Sequence, residues 1–384
     1  MSILDCREQS RALAHLQMAQ RTGRQAHGMI FHGPEGVGKG LLARRWGQLQ
    51  LCAAPVAVQR PVDMGPASWP TALDEMTDSC GKCPDCRLVQ GQTHPDLHVV
   101  TKDLIRHARQ GRERKMISLP IDVIREFVIE PAGKHPNRGR AQMFIIEGTE
   151  EMKWAAQNAL LKILEEPPER TFLILVTSMV DRLLPTVQSR CQWISFGALP
   201  IDFVRSRLLE AGQGEAQANY WADFSEGRLG LALRLARMDL YGQKRELVEH
   251  LADLGPSSAL SVAKWMVEQA KGYAKAYLEE FPGYSQSSGV RQGYGFFLGV
   301  IGHVFRQALR SGVAAAAAGP VDQADAVAKI GRCFGPRGCA EAICATWRAQ
   351  ARLEANVNAT LIFETLLLQY IDCSRRSAGM AQAC

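Results

Sequence analysis

Gly28-Met29-Ile30-Phe31-His32-Gly33-Pro34-Glu35-Gly36-Val37-Gly38-Lys39-Gly40 is the stretch that decides the fold. GMIFHG (28–33) reads as a strand, and LLARRWGQLQLC (41–52) reads as a helix. Between them lies a G-x-x-x-x-G-K pattern in its required context. Glycines there let backbone N–H groups curl around phosphates, and the helix N-terminus adds positive potential. Gly33, Gly36, Gly38 and Lys39 are the candidate nucleotide-binding residues, with Lys39 directed at the outer phosphates. The next residue should be Ser or Thr, whose hydroxyl holds magnesium, but it is Gly40. A phosphate-loop shape is expected; whether it binds ATP is a separate question.

Working outward, DLHVV (96–100), QMFIIEG (142–148), TFLILVT (171–177) and QWISF (192–196) read as further strands. WAAQNALLKILEE (154–166) is a helix stopped by Pro167 and Pro168. This alternation predicts an α/β fold, a mostly parallel sheet with helices on both faces. The partner nucleotide motif is an apolar strand ending in Asp-Glu. The candidate strand ends in Glu147-Gly148, so the carboxylate that polarises water is missing. A positioned base is worth about 10²–10⁴ in rate. With Gly40, this second loss argues against hydrolysis by this chain.

After Phe196 the strand signals stop. Short amphipathic helices over 199–240 suggest a small lid, and 241–384 reads as an all-helical collar. In FFLGVIGHVFRQALR (296–310), Phe297, Ile301, Val304, Phe305 and Ala308 share one face. The expected domains are 1–198, 199–240 and 241–384, with connectors at 283–289 and 314–322. Two segments look inserted, 55–79 and the basic run 102–115. The latter reads either as a solvated loop or as a phosphate-backbone contact.

The 384 residues are 46% hydrophobic and 22% charged, which excludes a disordered chain, a collagen and a coiled-coil rod. No stretch supplies the roughly 20 apolar residues of a membrane span. MSILDCREQSRALAHL lacks the apolar region of a secretory signal, so a cytoplasmic protein is expected. The formal net charge of +6 permits a nucleic-acid partner without requiring one.

Cys80, Cys83 and Cys86 stand at C-x₂-C-x₂-C spacing among eleven cysteines. In a reducing compartment such clustering points to metal. Cys52 is the natural fourth ligand, and four thiolates close a structural zinc site. The other readings are a metal-free thiol loop, an iron–sulfur cluster, and His94 as a rival fourth ligand.

These features in order resemble the delta-prime family of bacterial DNA polymerase III clamp-loader subunits, within the AAA+ class. The shared segments are GPEGVGKG, Cys52 with the Cys80/83/86 knuckle, HPDLHVV (94–100), IDVIREFVIEPA (121–132), residues 158–196 and ANVNATLIFETLLLQY (355–370). The resemblance covers nearly the whole chain apart from the two insertions. It implies that Arg190, in Ser189-Arg190-Cys191, is an arginine finger reaching the ATP of a neighbouring motor subunit. From the residues alone, Arg190 reads as a surface arginine capping a helix. The second-sensor arginine of the family aligns with Gly230, so Arg228 is not given that role. Thr177 stands where the first sensor residue ends its strand, or is a plain strand-end threonine. The implied function is a non-hydrolysing stator that helps load the sliding clamp onto primed DNA. Implied partners are the gamma/tau and delta subunits and, through the complex, the clamp and primer-template DNA. The competing readings are an active gamma/tau-type ATPase, a stand-alone P-loop nucleotide enzyme, and a knuckle that reads nucleic acid.

Overall fold

The computed structural model describes all residues except Met1, Arg7, 60–74, 107–117, Gly139, 282–283, 314–321 and 382–384. Much of the two insertions, and most of the 314–322 connector, therefore lies outside the described residues. The chain divides into two compact units. One is Met1–Val204 with Glu226–Leu231, and the other is Arg205–Ser225 with Ala232–Cys384. Residues 199–240, expected as a lid, are shared between them.

The first unit is built on a five-stranded sheet in the order β4-β5-β6-β1-β7, parallel throughout. The strands are β1 Gly28–His32, β4 Leu97–Val100, β5 Gln142–Glu147, β6 Thr171–Thr177 and β7 Gln192–Ser195. Each matches an apolar run anticipated in the sequence. Continuous runs such as MFII and FLILV belong to parallel strands covered on both faces. The side chains alternate accordingly. Met29, Phe31, Met143, Ile145, Ile174 and Val176 enter the core on one face. Ile30, Phe144, Ile146, Leu173 and Leu175 enter the core on the other. Trp46 and Leu42 of the helix Lys39–Leu51 cover the first face, while Ala156 and Leu160 of the helix Trp154–Glu165 cover the second.

Two features were not legible locally. Val56–Gln59 (β2) and Glu75–Asp78 (β3) pair as an antiparallel ribbon at the ends of the first insertion. The helical stretch 121–132 contains a π turn at Arg125–Ile129.

The second unit is helical, with long elements Ala259–Glu280, Gln286–Val313, Ala324–Glu354 and Ala359–Ala381. Phe297, Ile301, Val304, Phe305 and Ala308 are all buried, as the 3.6-residue period requires. Gly289 and Gly293 let Gln286–Val313 close on Ala259–Glu280, since a Cβ at either would meet Ala274 or Ala270 near 3 Å. The long third helix is bent at Gly335-Pro336, where Gly335 has φ +60°. No helix among the described residues is long and apolar enough to cross a membrane.

Candidate functional site

The phosphate loop forms where the sequence places it, between β1 and the helix that starts at Lys39. Gly33, Gly36 and Gly38 have φ of +144°, +79° and +100°, a region open to glycine at little cost. Gly33 also meets the following strand so closely that a Cβ would lie 2.2 Å from the Phe196 carbonyl oxygen. Gln9 ties the loop to that strand end, donating to the carbonyls of Val37 at 3.2 Å and Gly197 at 2.8 Å.

The loop turns its polar groups inward. Lys39 is buried, and its Nζ donates to the carbonyls of Gly33 at 2.6 Å and Pro34 at 2.5 Å. Burial holds its pKa below the usual lysine value, against the pull of Glu150 and Glu35. Gly36 is covered by Glu226–Leu231, as the Gly230 N–H donates to the Gly36 carbonyl at 2.8 Å. A Cβ at Gly230 would stand 3.0 Å from Gly36 Cα. Gly230 thus packs backbone against backbone on Gly36, and a side chain there would crowd the loop.

Gly40 and the end of β5 meet in space. Glu147 ends β5, and a Cβ on Gly40 would lie 2.7 Å from its Oε1. Arg44, one helical turn beyond Gly40, pairs with the same Oε1 at 2.9 Å. The glycine leaves space that Glu147 fills, and the Arg44 guanidinium faces its carboxylate. Sequence reasoning missed this pair, whose members lie on separate elements far apart in the chain. Gly148 has φ +68°, a left-handed conformation that disfavours the glutamate of the active motif. Glu150 accepts from the Ser178 N–H at 3.2 Å and from its hydroxyl, and Glu151 pairs with Lys102. The buried Thr177 hydroxyl accepts the Met179 N–H at 3.1 Å, a strand-end arrangement.

Arg190 stands at the other end of the sheet. A Cβ at Gly28, where β1 begins, would be 3.3 Å from the Arg190 carbonyl, whereas the phosphate loop follows the far end of β1. Four strand steps separate the two by about 13 Å. The half-exposed guanidinium pairs with Glu165 Oε1 at 2.7 Å and donates to the Thr186 carbonyl at 3.0 Å. Nothing in the local sequence signalled Glu165, which lies on another element.

The four cysteines converge. Cys52 Sγ is 3.6 Å from Cys80 Sγ and 4.0 Å from Cys83 Sγ, and Cys80 Sγ is 4.0 Å from Cys86 Sγ. All four sulfurs lie within 4.8 Å of one another. A tetrahedral ion with bonds near 2.3 Å sets its sulfurs roughly 3.8 Å apart, so the set fits zinc. Backbone N–H groups of Lys82 and Cys83 draw the Cys80 thiol down to about 6, whereas burial pushes that of Cys86 up to about 12. A shared cation would settle both as thiolates. His94, the rival ligand, lies outside this group: its Nε2 is 3.4 Å from Asp85 Oδ1 and its Nδ1 accepts the Asp96 N–H at 3.1 Å. Asp96 in turn accepts the Asn137 and Arg138 N–H groups at 2.7 and 2.9 Å, and Arg138 pairs with Asp85. This network ties the knuckle to the start of β4.

Residues 69–200 match the family model described as DNA polymerase III, delta subunit. The chain is 34% identical over 169 residues to the DNA polymerase III subunit delta' of Pseudomonas aeruginosa, covering 43% of this chain and 42% of that protein. It is 25% identical to the subunit delta' of Bacillus subtilis, over 71% of this chain and 69% of that one. It is 30% identical to the DNA polymerase III subunit gamma/tau of Mycobacterium bovis, over 52% of this chain and 29% of that protein.

Proposed function

We propose, from the membership in the DNA polymerase III delta-prime and gamma/tau family that these matches support, that the chain is a non-hydrolysing clamp-loader subunit. It serves as a stator in a ring, presents Arg190 to ATP held by a neighbouring gamma/tau subunit, and helps load the sliding clamp onto primed DNA. The delta subunit, the clamp and primer-template DNA are reached within that assembly, in the cytoplasm. The first 198 residues carry the loop and knuckle, 199–240 act as a lid, and 241–384 form the collar that joins the ring.

One observation carries this reading. It is the Arg44–Glu147 pair beside Gly40, the position at which the G-x-x-x-x-G-K pattern would carry a magnesium-binding hydroxyl. Lys39 and the carbonyls of Gly33, Pro34, Gly36 and Val37 find partners within the chain, which supports a loop whose lysine is turned away from phosphate. Arg190 is supported separately by its distance from this chain's own loop, which leaves a site in another subunit as its target. A guanidinium there would neutralise charge on the transferred phosphoryl group. The gamma/tau match favours an active ATPase as the second reading, but Gly40 and Gly148 stand against it.

The test is DNA-stimulated ATPase of clamp-loader complexes rebuilt with wild-type, Arg190→Ala and Arg190→Lys subunits. Fingers acting in trans are worth about 10³–10⁵ in other phosphoryl-transfer systems, diluted here because only one site of the ring borders this subunit. Both variants should assemble, and both should lower the rate, since an ammonium lacks the two-pronged contact. Unchanged rates in fully assembled mutant complexes would reduce Arg190 to a surface residue.

A further inference from the structure

Four thiolates around one dication carry more charge than the ion cancels, so metal sites of this type draw on N–H donors from their surroundings. Three of the four sulfurs here receive one from the backbone of another cysteine of the set. The Cys80 N–H donates to Cys52 Sγ at 3.3 Å, the Cys83 N–H to Cys80 Sγ at 3.3 Å, and the Cys86 N–H to Cys83 Sγ at 3.4 Å. Each donor belongs to the next cysteine along the chain. Cys86 is the last, so no later cysteine folds back on it, and it is fully buried.

The side chain that reaches Cys86 is Gln48, from the last turns of the helix Lys39–Leu51, with the Gly81 N–H as a weaker neighbour. Gln48 is itself fully buried, and neither its amide nitrogen nor its amide oxygen completes a hydrogen bond among the described residues. A buried amide without partners is costly, and native structures seldom keep one without a role. A neutral thiol is a weak acceptor, whereas a metal-bound thiolate is a good one.

We propose that Gln48 is the outer-sphere donor of the cysteine site, its amide N–H hydrogen-bonding the Cys86 thiolate when a cation is held. It is a positioning residue: it orients Cys86 and offsets part of the excess negative charge. It also anchors the metal site to the helix that begins at the phosphate loop, through Gln48 as well as through Cys52 at the helix end.

The experiment uses the full chain in wild-type, Gln48→Leu and Gln48→Glu forms. Zinc affinity is measured by competition with a chromophoric chelator, and the cobalt-substituted proteins give the thiolate-to-metal absorption band. Gln48→Leu should weaken zinc by about 10–100-fold and shift the band, as loss of an outer-shell partner does elsewhere. Gln48→Glu should be weaker still, because a carboxylate faces the thiolate. A role confined to packing would leave the band in place. Wild-type protein loaded with ¹¹³Cd provides a check that needs no variant: a side-chain NH₂ proton should couple to the metal through the N–H···S bond. Zinc affinity of Gln48→Leu within about twofold of wild type, or no side-chain amide coupled to cadmium, overturns the proposal. Wild-type protein that binds none of these metals overturns the metal site itself, and this inference with it.

Discussion

Replacing Gly40 with serine returns the hydroxyl missing from the phosphate loop, and the surroundings of that position set the outcome. The new Cβ would lie 2.7 Å from Glu147 Oε1, closer than real contacts allow. The atom in the way is the end of a flexible carboxylate, so it moves and leaves Arg44, its partner at 2.9 Å. Both members of that pair are partly exposed, and such pairs contribute about 0–1 kcal/mol. Serine in place of glycine inside a helix returns about 0.5 kcal/mol. The two nearly offset, so Gly40→Ser should fold, with its melting point within about 4 °C of wild type. It should not hydrolyse ATP. Gly148 still offers no carboxylate, Lys39 still faces the loop's own carbonyls, and Glu226–Leu231 still covers Gly36. Adding Gly148→Glu restores the letters of the motif but places a side chain at φ +68°, which costs about 1–2 kcal/mol. The double variant should therefore be less stable and equally inactive. Phosphate release by the purified subunits, with and without magnesium, is the assay. Turnover near 1 s⁻¹ from Gly40→Ser alone, about the bottom of the usual enzyme range, would refute the reasoning.

Cys83→Ser should lose stoichiometric zinc, weakening metal binding beyond the roughly 10–100-fold of an outer-shell change, and should lower the unfolding midpoint of the first unit; elemental analysis and thermal melts decide it. Wild-type protein that carries no zinc when carefully prepared would end the metal reading. His98 stacks on Phe144 at 4.6 Å between centroids, and burial holds its pKa below the ordinary value of 6.5. The folded state prefers the neutral ring, so this stabilisation is complete above about pH 6.5 and is lost as pH falls through the folded value. The slope from one such group is at most about 1.4 kcal/mol per pH unit. Denaturant midpoints between pH 7.5 and 5 should fall for wild type and less steeply for His98→Phe; parallel slopes would show that His98 plays no part.

The sequence determined what depends on near neighbours. Apolar runs marked all five strands of the parallel sheet, because strands covered on both faces need no polar alternation. The glycine spacing of 33, 36 and 38 set the loop, since its positive φ angles admit little else. The C-x₂-C-x₂-C run and a cysteine at the end of the preceding helix were enough to name the four cysteines that converge. Tertiary structure decided what depends on residues far apart in the chain. The ribbon of β2 and β3 joins the two ends of an insertion, and each strand is only four residues long, too short to announce itself. Arg44 meets Glu147 only because β5 lies under the loop helix, which also brings the strand end beside Gly40. Gly230 touches Gly36 and Glu165 holds Arg190 through approaches of backbone and side chain that carry no periodicity. Gln48 reads as one more polar residue on a helix; burial beside Cys86 without a partner is what singles it out, and burial is a property of the packed fold.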